Sequence, residues 1–292
     1  MRLLASLLVL FWIALATPAI ARELPPDLAA LLREANPKER STLENVAKRV
    51  YPDQRKAIDD LIDRIEDEEK KQVAKADIVE GWTGEASFGG NYSSGNTDEW
   101  NVSTALSIKR KDFRWEHKLD ATLDFSDVDG NRTEERITAA YRARRDFDRS
   151  PFFLFGTLRY DRDRFQGTSN RFTESAGGGY EIIDKDDLDW DVYAGPALRQ
   201  IDFTDGTNQS QFGAFIATDF KWEANDRLTI RNYTGAVVAK ENKSFLSTTS
   251  LTNNIYGELS IRVEFTFDKE TDPPEGKEKE DIFSRVSLVY GF

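Results

Sequence analysis

Cysteine is absent from the 292-residue sequence, and histidine and methionine occur once each, as His117 and Met1. Without cysteine the chain has no disulfides, thiolate metal sites or cysteine nucleophiles. A single histidine leaves little room for a zinc site or a histidine-based catalytic dyad. We therefore predict that the protein is not an enzyme and that it carries no catalytic, metal or cofactor site.

Positive charge is scarce relative to negative charge, because 40 lysines and arginines are outnumbered by 52 aspartates and glutamates, giving a net charge of −12. This balance excludes a nucleic-acid partner held by phosphate contacts. The mean hydropathy is low, at −0.58, but 12% of the residues are aromatic. Disordered chains are poor in aromatic residues, so the sequence predicts a folded protein.

Long hydrophobic runs are also missing, except at the N-terminus. Residues 1–21 combine a basic start, an apolar stretch and the small-residue site Ala19-Ile20-Ala21, which is typical of a signal peptide. We predict cleavage after Ala21; a membrane anchor helix is the alternative. No later stretch approaches the roughly 18 consecutive apolar residues of a spanning helix. The mature chain is therefore either soluble after export or crosses a membrane as strands.

Residues 22–80 have the periodicity of helices. Ser41 and Glu44 fit a capping box at the start of one helix, whose apolar stripe is formed by Leu43, Val46, Ala47 and Val50. A second helix is predicted after Pro52, because apolar residues recur there at helical spacing, at Ile58, Leu61, Ile62 and Ile65. No chemistry is visible in this segment, which we interpret as a short helical appendage.

From Gly81 onward the periodicity changes to two. In the segment 113–125, for example, apolar residues such as Trp115 and Leu119 alternate with charged residues such as Glu116. These strands of roughly 10–13 residues are about twice the usual length in globular proteins. They match the roughly 9–11 residues that a tilted strand needs to cross a bilayer. We predict that residues 81–292 form an all-β transmembrane antiparallel β-barrel.

Turn signals divide this region into eleven strands, but single-chain bacterial outer-membrane barrels have even strand numbers. The segment 245–267 is too long for one crossing, and Asn253-Asn254 followed by Gly257 is a candidate tight turn. Dividing that segment gives about twelve strands. We predict this number for the barrel.

The two faces of the predicted strands differ in chemistry. One face is apolar and suits lipid, whereas the other would line the lumen with the bases Arg114, Lys118, Arg136, Arg142, Arg144 and Arg159 and the acids Glu116, Asp120, Glu134, Asp161 and Asp163. Such charges form either a selective pore or a lumen filled with ion pairs. Unpaired charges in a confined lumen cost several kcal/mol each by order of magnitude. We therefore predict pairing and a narrowed bore.

Three weaker signals have plain structural interpretations. His117 shares the apolar face, so we interpret it as a packing or interfacial residue. Residues 127–131 resemble the opening of a calcium loop, but the later ligands are missing, which favours a surface turn. The segment 268–281 contains seven acids and three lysines; it is interpreted as a solvated loop, with a cation bridge to anionic lipid headgroups as the alternative.

Several motifs follow one another in a characteristic order. They are Gly89-Gly90-Asn91-Tyr92-Ser93-Ser94-Gly95-Asn96-Thr97, Gly177-Gly178-Gly179-Tyr180, Tyr193-Ala194-Gly195-Pro196-Ala197-Leu198-Arg199, Asp272-Pro273-Pro274-Glu275 and Tyr290-Gly291-Phe292. In this order they resemble the YdiY-like salt-induced outer-membrane proteins over residues 81–292. The resemblance implies a small outer-membrane barrel with a link to salt or osmotic stress. The helical residues 22–80 lie outside it.

Three functional classes follow from these observations: an outer-membrane barrel that is structural or a narrow channel, an outer-membrane hydrolase, and an exported soluble ligand-binding barrel. The first is favoured, because no nucleophile–base pair is visible. Twelve strands ending in the periplasm would place residues 22–80 there and the loop 268–281 outside. The expected partners are outer-membrane lipid, including lipopolysaccharide, and the barrel-insertion machinery, which would recognise the strand ending at Phe292.

Overall fold

The computed structural model describes residues 24–35, 37–77, 80–93, 99–147, 150–185, 187–240, 242–274 and 276–292. The predicted export signal, residues 1–21, lies outside these ranges. Within them, no helix combines the length and the apolar character needed to cross a membrane. The chain divides into two compact units, the first ending at Glu66 and the second beginning at Asp67.

The first part of the chain is helical, as its periodicity predicts. The described residues there form α1 (Pro26–Glu34), α2 (Pro37–Val50), a 3-10 turn (Pro52–Gln54) and α3 (Arg55–Lys75). Buried apolar side chains join these helices, namely Leu32, Ala47, Ile58, Leu61, Ile62 and Ile65. The stripe predicted after Pro52 is therefore the buried face of α3.

The predicted start of α2 is wrong. The helix begins at Pro37, so Ser41 lies inside it and cannot be its N-cap. Proline is favoured in the first turn of a helix because the missing N–H would be unsatisfied there. Arg40 in the first turns of α2 is buried and donates to the carbonyl oxygens of Leu32 at 3.0 Å and Ala35 at 2.9 Å, which connects α2 to the end of α1.

The apolar stripe predicted for α2 is also only partly buried. Ala47 lies in the helical core, whereas Val46 and Val50 are 45% and 61% exposed. The helix turns its Ala47 side toward α1 and α3, and the two valines extend beyond the surface that these helices cover. The helical spacing of apolar residues therefore predicts where the helix lies, but not which of these residues are buried.

The second part of the chain forms a closed antiparallel barrel of twelve strands within the described residues. The strands are β1 (Thr83–Ser93), β2 (Glu99–Lys111), β3 (Trp115–Val128), β4 (Asn131–Asp146), β5 (Phe152–Asp163), β6 (Thr168–Lys185), β7 (Leu188–Phe203), β8 (Asn208–Asn225), β9 (Leu228–Ala239), β10 (Lys243–Tyr256), β11 (Leu259–Glu270) and β12 (Glu280–Gly291). The predicted fold class and strand number are confirmed.

The barrel closes between its first and last strands. Phe88 of β1 pairs with Leu288 of β12, and Gly84 and Phe292 exchange two backbone hydrogen bonds of 2.8 Å. The start of β1 and the end of β12 thus lie at one end of the barrel, which we call the terminus end. The opposite end, which carries the β11–β12 connection at 271–279, is called the loop end.

The division of the segment 245–267 is confirmed, but the turn lies further along than predicted. Asn253 and Asn254 belong to β10, and the chain reverses at Gly257, which has a φ of 53°. Residues 127–131 likewise form a tight hairpin, with Asp129 at φ 52° and Gly130 at φ 76°. Positive φ at both central residues is the signature of a two-residue hairpin turn.

Two strands approach unusually closely at a pair of glycines. A Cβ atom on Gly177 of β6 would lie 2.2 Å from the carbonyl oxygen of Ala194 and 2.7 Å from the Cα of Gly195 in β7. Real side chains do not tolerate such distances, so both glycines are needed for this approach. A Cβ atom on Gly156 would meet nothing within 4 Å.

Candidate functional site in the barrel lumen

The inner face of the barrel carries the charged residues that the alternation predicts. Those that border the central cavity are Lys118, Asp120, Arg136, Arg142, Arg159, Asp161 and Asp163. Glu116 and Arg144 are buried on the same face, and Glu134 pairs with the buried Ser126. The strands therefore bring the predicted lumen charges together as expected.

Arg114 is the exception among the predicted lumen residues. It precedes β3, which begins at Trp115, and lies exposed in the β2–β3 turn. Its carbonyl oxygen accepts a 2.8 Å hydrogen bond from the backbone N–H of Asp146. The predicted strand begins at Phe113, two residues before β3, because the β2–β3 turn extends to Arg114 and interrupts the alternation.

Arg142 reaches from one wall of the lumen to another. It lies on β4 and contacts Glu116 on the neighbouring β3 at 3.1 Å. It also contacts Asp219 at 3.2 Å and donates to the hydroxyl of Tyr193 at 3.3 Å. Since Asp219 belongs to β8, four strands from β4 in the sheet order, this side chain crosses the bore.

A second arginine is held by three acids near the terminus end. Arg144 contacts Asp146 at 2.5 Å, Asp191 at 2.6 Å and also Glu181. Its guanidinium lies 3.7 Å from the ring centroid of Phe153, in cation–π geometry. The side chain is only 5% exposed. Arg144 therefore joins β4 to β6 and β7.

Ion pairs nearer the loop end also connect strands that are not neighbours. Arg171 on β6 contacts Glu270 on β11 and lies 3.6 Å from Asp161. Arg285 on β12 contacts Asp124 on β3 at 2.5 Å. Charged pairs that span several strands draw long side chains across the lumen and narrow it. The predicted pairing is confirmed and extends beyond adjacent strands.

The sequence interpretation missed a buried aromatic cluster in the lumen. It is formed by Phe153 and Phe155 of β5 with Tyr193 and Phe215; the Phe155 and Tyr193 rings lie 4.9 Å apart. The alternation predicts that the apolar face meets only lipid, but residues 152–155 are apolar on both faces and therefore show no alternation. Such an uninterrupted apolar run was the available signal.

The remaining space is a cavity of about 460 Å³. Its wall includes Pro273, Pro274, Glu278 and Lys279 of the β11–β12 loop. Pro274 lies against Gly167 of the β5–β6 turn, where a Cβ atom would come within 3.0 Å of it. The loop therefore leans over the loop end of the barrel and restricts the opening.

Lumen arginines outside β3–β5 were also missed, although they follow the same alternation. Arg262 on β11 contacts Glu85 at 2.7 Å, and Arg199 on β7 is only 4% exposed. Applying the alternation of inward and outward side chains to all twelve strands predicts that both arginines lie on the inner face. Their partners lie far apart in the sequence and are defined only by the closed barrel.

His117 lies on the outer face, as its parity predicts. Its Nδ1 is 2.6 Å from the hydroxyl oxygen of Tyr141, and its ring stacks on Trp115 at 5.9 Å. The guanidinium of Arg145 lies 5.6 Å from the Trp115 ring centroid. The histidine is thus part of an aromatic and basic group on the barrel surface.

Comparisons with known proteins agree with the resemblance found in the sequence. The uncharacterised protein YdiY of Escherichia coli K12 is 24% identical over 163 residues, covering 54% of this chain and 63% of YdiY. The chain therefore spans less than two thirds of the length of that relative.

Several solved barrels are similar in backbone. An outer-membrane channel from Pseudomonas putida F1 has a TM-score of 0.44 at 10% identity, covering 72% of this chain and 95% of that one. The translocator domain of the autotransporter NalP from Neisseria meningitidis has a TM-score of 0.42 at 13% identity, with 78% and 95% covered. The NanC porin has a TM-score of 0.43 at 10% identity, with 71% and 97% covered.

A family model described as "Protein of unknown function, DUF481" matches residues 86–292. The matched region contains nearly the whole barrel, from within β1 to the closing residue of the chain. The chain belongs to the DUF481 family.

Proposed function

We propose that this barrel spans the outer membrane and that its lumen is structural or a narrow channel, passing at most a small, weakly selective ion current and no sugars. The observation that carries the proposal is the set of arginines that cross the bore, led by Arg142 between β4 and β8. The alternatives from the sequence, a hydrolase and a soluble ligand-binding barrel, become outcomes of the tests below.

The outer surface supports a lipid environment. Large apolar side chains on it are strongly exposed, including Phe88 at 64%, Phe212 at 73% and Val286 at 62%. Monomeric soluble proteins rarely expose contiguous apolar patches above a few hundred Å². The strands are 11–18 residues long. A tilted strand needs roughly 9–11 residues to cross a bilayer, so each strand is long enough.

Exposed tryptophans and tyrosines gather mainly at one end of this apolar surface. Exposed tryptophans and tyrosines lie toward the terminus end, namely Trp115, Tyr141, Tyr180, Trp190, Trp222 and Tyr290. Trp100 occupies the loop end of β2 and is also exposed. Outer-membrane barrels carry such aromatic girdles at both membrane interfaces, because the amphipathic rings favour the headgroup region.

Ion pairing in the lumen supports a small current. A barrel of about eight strands is filled by side chains, and one of 16–18 strands leaves a channel. Twelve strands lie between these limits, so side-chain placement decides. Here Arg142 and Arg144 engage acids on β3, β4, β6, β7 and β8. Together with the aromatic cluster beside them, these contacts place side chains across the bore.

The predicted topology completes the proposal. The signal peptide 1–21 would direct export, residues 22–80 would lie in the periplasm and the loop 268–281 would face outward. The insertion machinery would bind the closing strand through Phe292, and lipid including lipopolysaccharide would surround the barrel. From the family resemblance we add that synthesis responds to salt or osmotic stress.

The channel proposal is tested by conductance in planar bilayers. The unmodified protein should give small events, and the double substitution R142S/R144S should enlarge them, because it removes both cross-bore side chains. The acids that remain should also make the current cation-selective. The double substitution R132S/R162S is the control, since both arginines contact Glu135 on the outer surface and should leave conductance unchanged.

A large, stable porin-like conductance from the unmodified protein would overturn the narrow-channel proposal. An equal increase in both double variants would also contradict it, because the effect would then not come from the lumen. Location is tested separately by cell fractionation and by the gel shift of unboiled samples. Recovery in the soluble periplasmic fraction would favour the soluble barrel, and hydrolysis of ester or peptide substrates by purified protein would favour the enzyme.

A further inference from the structure

Arg199 is a buried arginine on the inner face of β7. Its Nη2 donates to the hydroxyl oxygen of Ser244 on β10 at 2.5 Å. Its Nε and Nη1 are inaccessible to solvent and have no hydrogen-bond partner among the described residues. The side chain is 4% exposed and borders the lumen cavity. The other arginines described above on the inner face each contact at least one carboxylate, and Arg199 differs from them; they are Arg136, Arg142, Arg144, Arg159, Arg171, Arg262 and Arg285.

The nearby carboxylates are already engaged by other arginines. Asp161 contacts Arg159 at 2.6 Å and Arg171 at 3.6 Å. Glu270 contacts Arg171 and accepts a 3.1 Å hydrogen bond from Asn242. A guanidinium that is buried and unpaired is costly. An additional anion in the cavity would remove this cost.

A buried acceptor lies beside Arg199. Gln211 is its direct partner on β8 in the strand register and is 5% exposed. Its Nε2 donates to the side-chain oxygen of Gln209 at 2.7 Å, which fixes the orientation of the amide. Its Oε1 is buried without a partner among the described residues. A group that donates a hydrogen bond would satisfy this oxygen.

We propose that Arg199 and Gln211 form a binding site for a small hydroxycarboxylate. The carboxylate would accept from Nε or Nη1 of Arg199, and the hydroxyl would donate to Oε1 of Gln211. Directly opposed residues in a sheet lie on the same face with Cβ atoms about 4.5–5.5 Å apart, so both side chains start from neighbouring points of the inner wall. The site requires the barrel but not conduction, so it deepens the proposed function without depending on an open pore.

A single negative charge fits the site better than several. Asp161, Glu270 and Asp268 face the same cavity as Arg159 and Arg171, so a multiply charged anion such as phosphate would bring more negative charge than the one unpaired guanidinium can match. The cavity volume of about 460 Å³ lies within the roughly 300–1,000 Å³ range of small-ligand sites. The guanidinium therefore favours a monovalent carboxylate, and Gln211 selects among carboxylates for those with a hydroxyl.

The test is titration calorimetry of the full mature chain, refolded in detergent, with glycolate, propionate and inorganic phosphate as probes. We expect saturable binding of glycolate and weaker binding of propionate and phosphate. R199Q should weaken glycolate binding about tenfold or more, because it removes charge-assisted hydrogen bonds. R199K should give an intermediate loss, since it keeps the charge but not the planar fork.

Two further variants separate this site from a general effect of lumen charge. Arg231 borders the same cavity but is exposed, so R231Q should keep glycolate affinity within about twofold. Q211L should remove the preference for glycolate over propionate while retaining carboxylate binding. The gel shift of unboiled samples would verify folding of each variant, and only folded variants would be titrated.

Absence of saturable glycolate binding would overturn the proposal. Equal losses in R199Q and R231Q would do so too, because they would indicate attraction by the overall potential. Tighter binding of phosphate than of glycolate would refute the carboxylate assignment. Failure of the narrow-channel proposal would show instead as a large conductance, which these titrations do not measure, so the two failures are distinguishable.

Discussion

Replacement of Arg144 by methionine should destabilise the barrel strongly. The guanidinium contacts Asp146, Asp191 and Glu181 and lies over the ring of Phe153. Methionine keeps much of the side-chain volume and a favourable contact between sulfur and the ring. The substitution R144M therefore removes mainly the charge and its hydrogen bonds, leaving three acids close together without their shared cation.

The magnitude follows from the burial of the partners. Removing one member of a buried ion pair costs about 3–5 kcal/mol. The side chains of Asp146, Asp191 and Glu181 are 23%, 16% and 24% exposed, so water can solvate them in part. We therefore expect the lower end of that range, about 3 kcal/mol in the free energy of unfolding.

The assay is reversible unfolding by denaturant in detergent or lipid vesicles, with R162M as the matched control. Arg162 contacts Glu135 at 3.3 Å on the outer surface, and its side chain is 33% exposed, whereas that of Arg144 is 6% exposed. Exposed pairs contribute about 0–1 kcal/mol, so R162M should change the free energy of unfolding little. Adding D191N to R144M should recover part of the loss, because it removes one of the repelling charges.

Equal destabilisation by R144M and R162M would refute the reasoning, because burial and multiple pairing would then have no energetic consequence. A D191N substitution that worsened R144M would contradict it as well, since repulsion among the unpaired acids could not be the cause. Either result would indicate that solvent in the lumen screens these charges as effectively as bulk water.

Three other predictions concern assembly, topology and packing. Deleting Phe292 should lower the amount inserted in cells, measured by quantitative immunoblot of outer membranes, while protein refolded in detergent should still form the barrel; normal levels in cells would contradict this. Protease added to intact cells should cleave a tag in 268–281 and spare one in 53–72, and the reverse pattern would refute the orientation. G177A should lower the free energy of unfolding by about 1–3 kcal/mol through overpacking, whereas G156A, at an open position, should be neutral; equal effects would show that the close strand approach is unimportant.

The alternation of side chains was sufficient to predict the barrel. A period of two is a local property of extended chain, so Trp115, Glu116 and His117 could be assigned to faces without knowing their neighbours. Strand length was equally local, and parity then supplied the twelfth strand. Prediction failed at the ends of elements, as with Arg114 and the start of α2 at Pro37, because turns and caps depend on a few backbone groups that periodicity does not describe.

Tertiary structure decided which charges meet. The sequence placed Arg142 on the inner face but could not place Asp219 opposite it, because that contact depends on barrel closure and strand register. Closure likewise brings Glu270 to Arg171, whereas Nε and Nη1 of Arg199 have no hydrogen-bond partner in the part of the chain that the structure describes. Sequence periodicity fixes the face of a strand on which a side chain lies, since this depends on adjacent residues. Only the closed sheet sets distances across the lumen, since these depend on strands far apart in the chain.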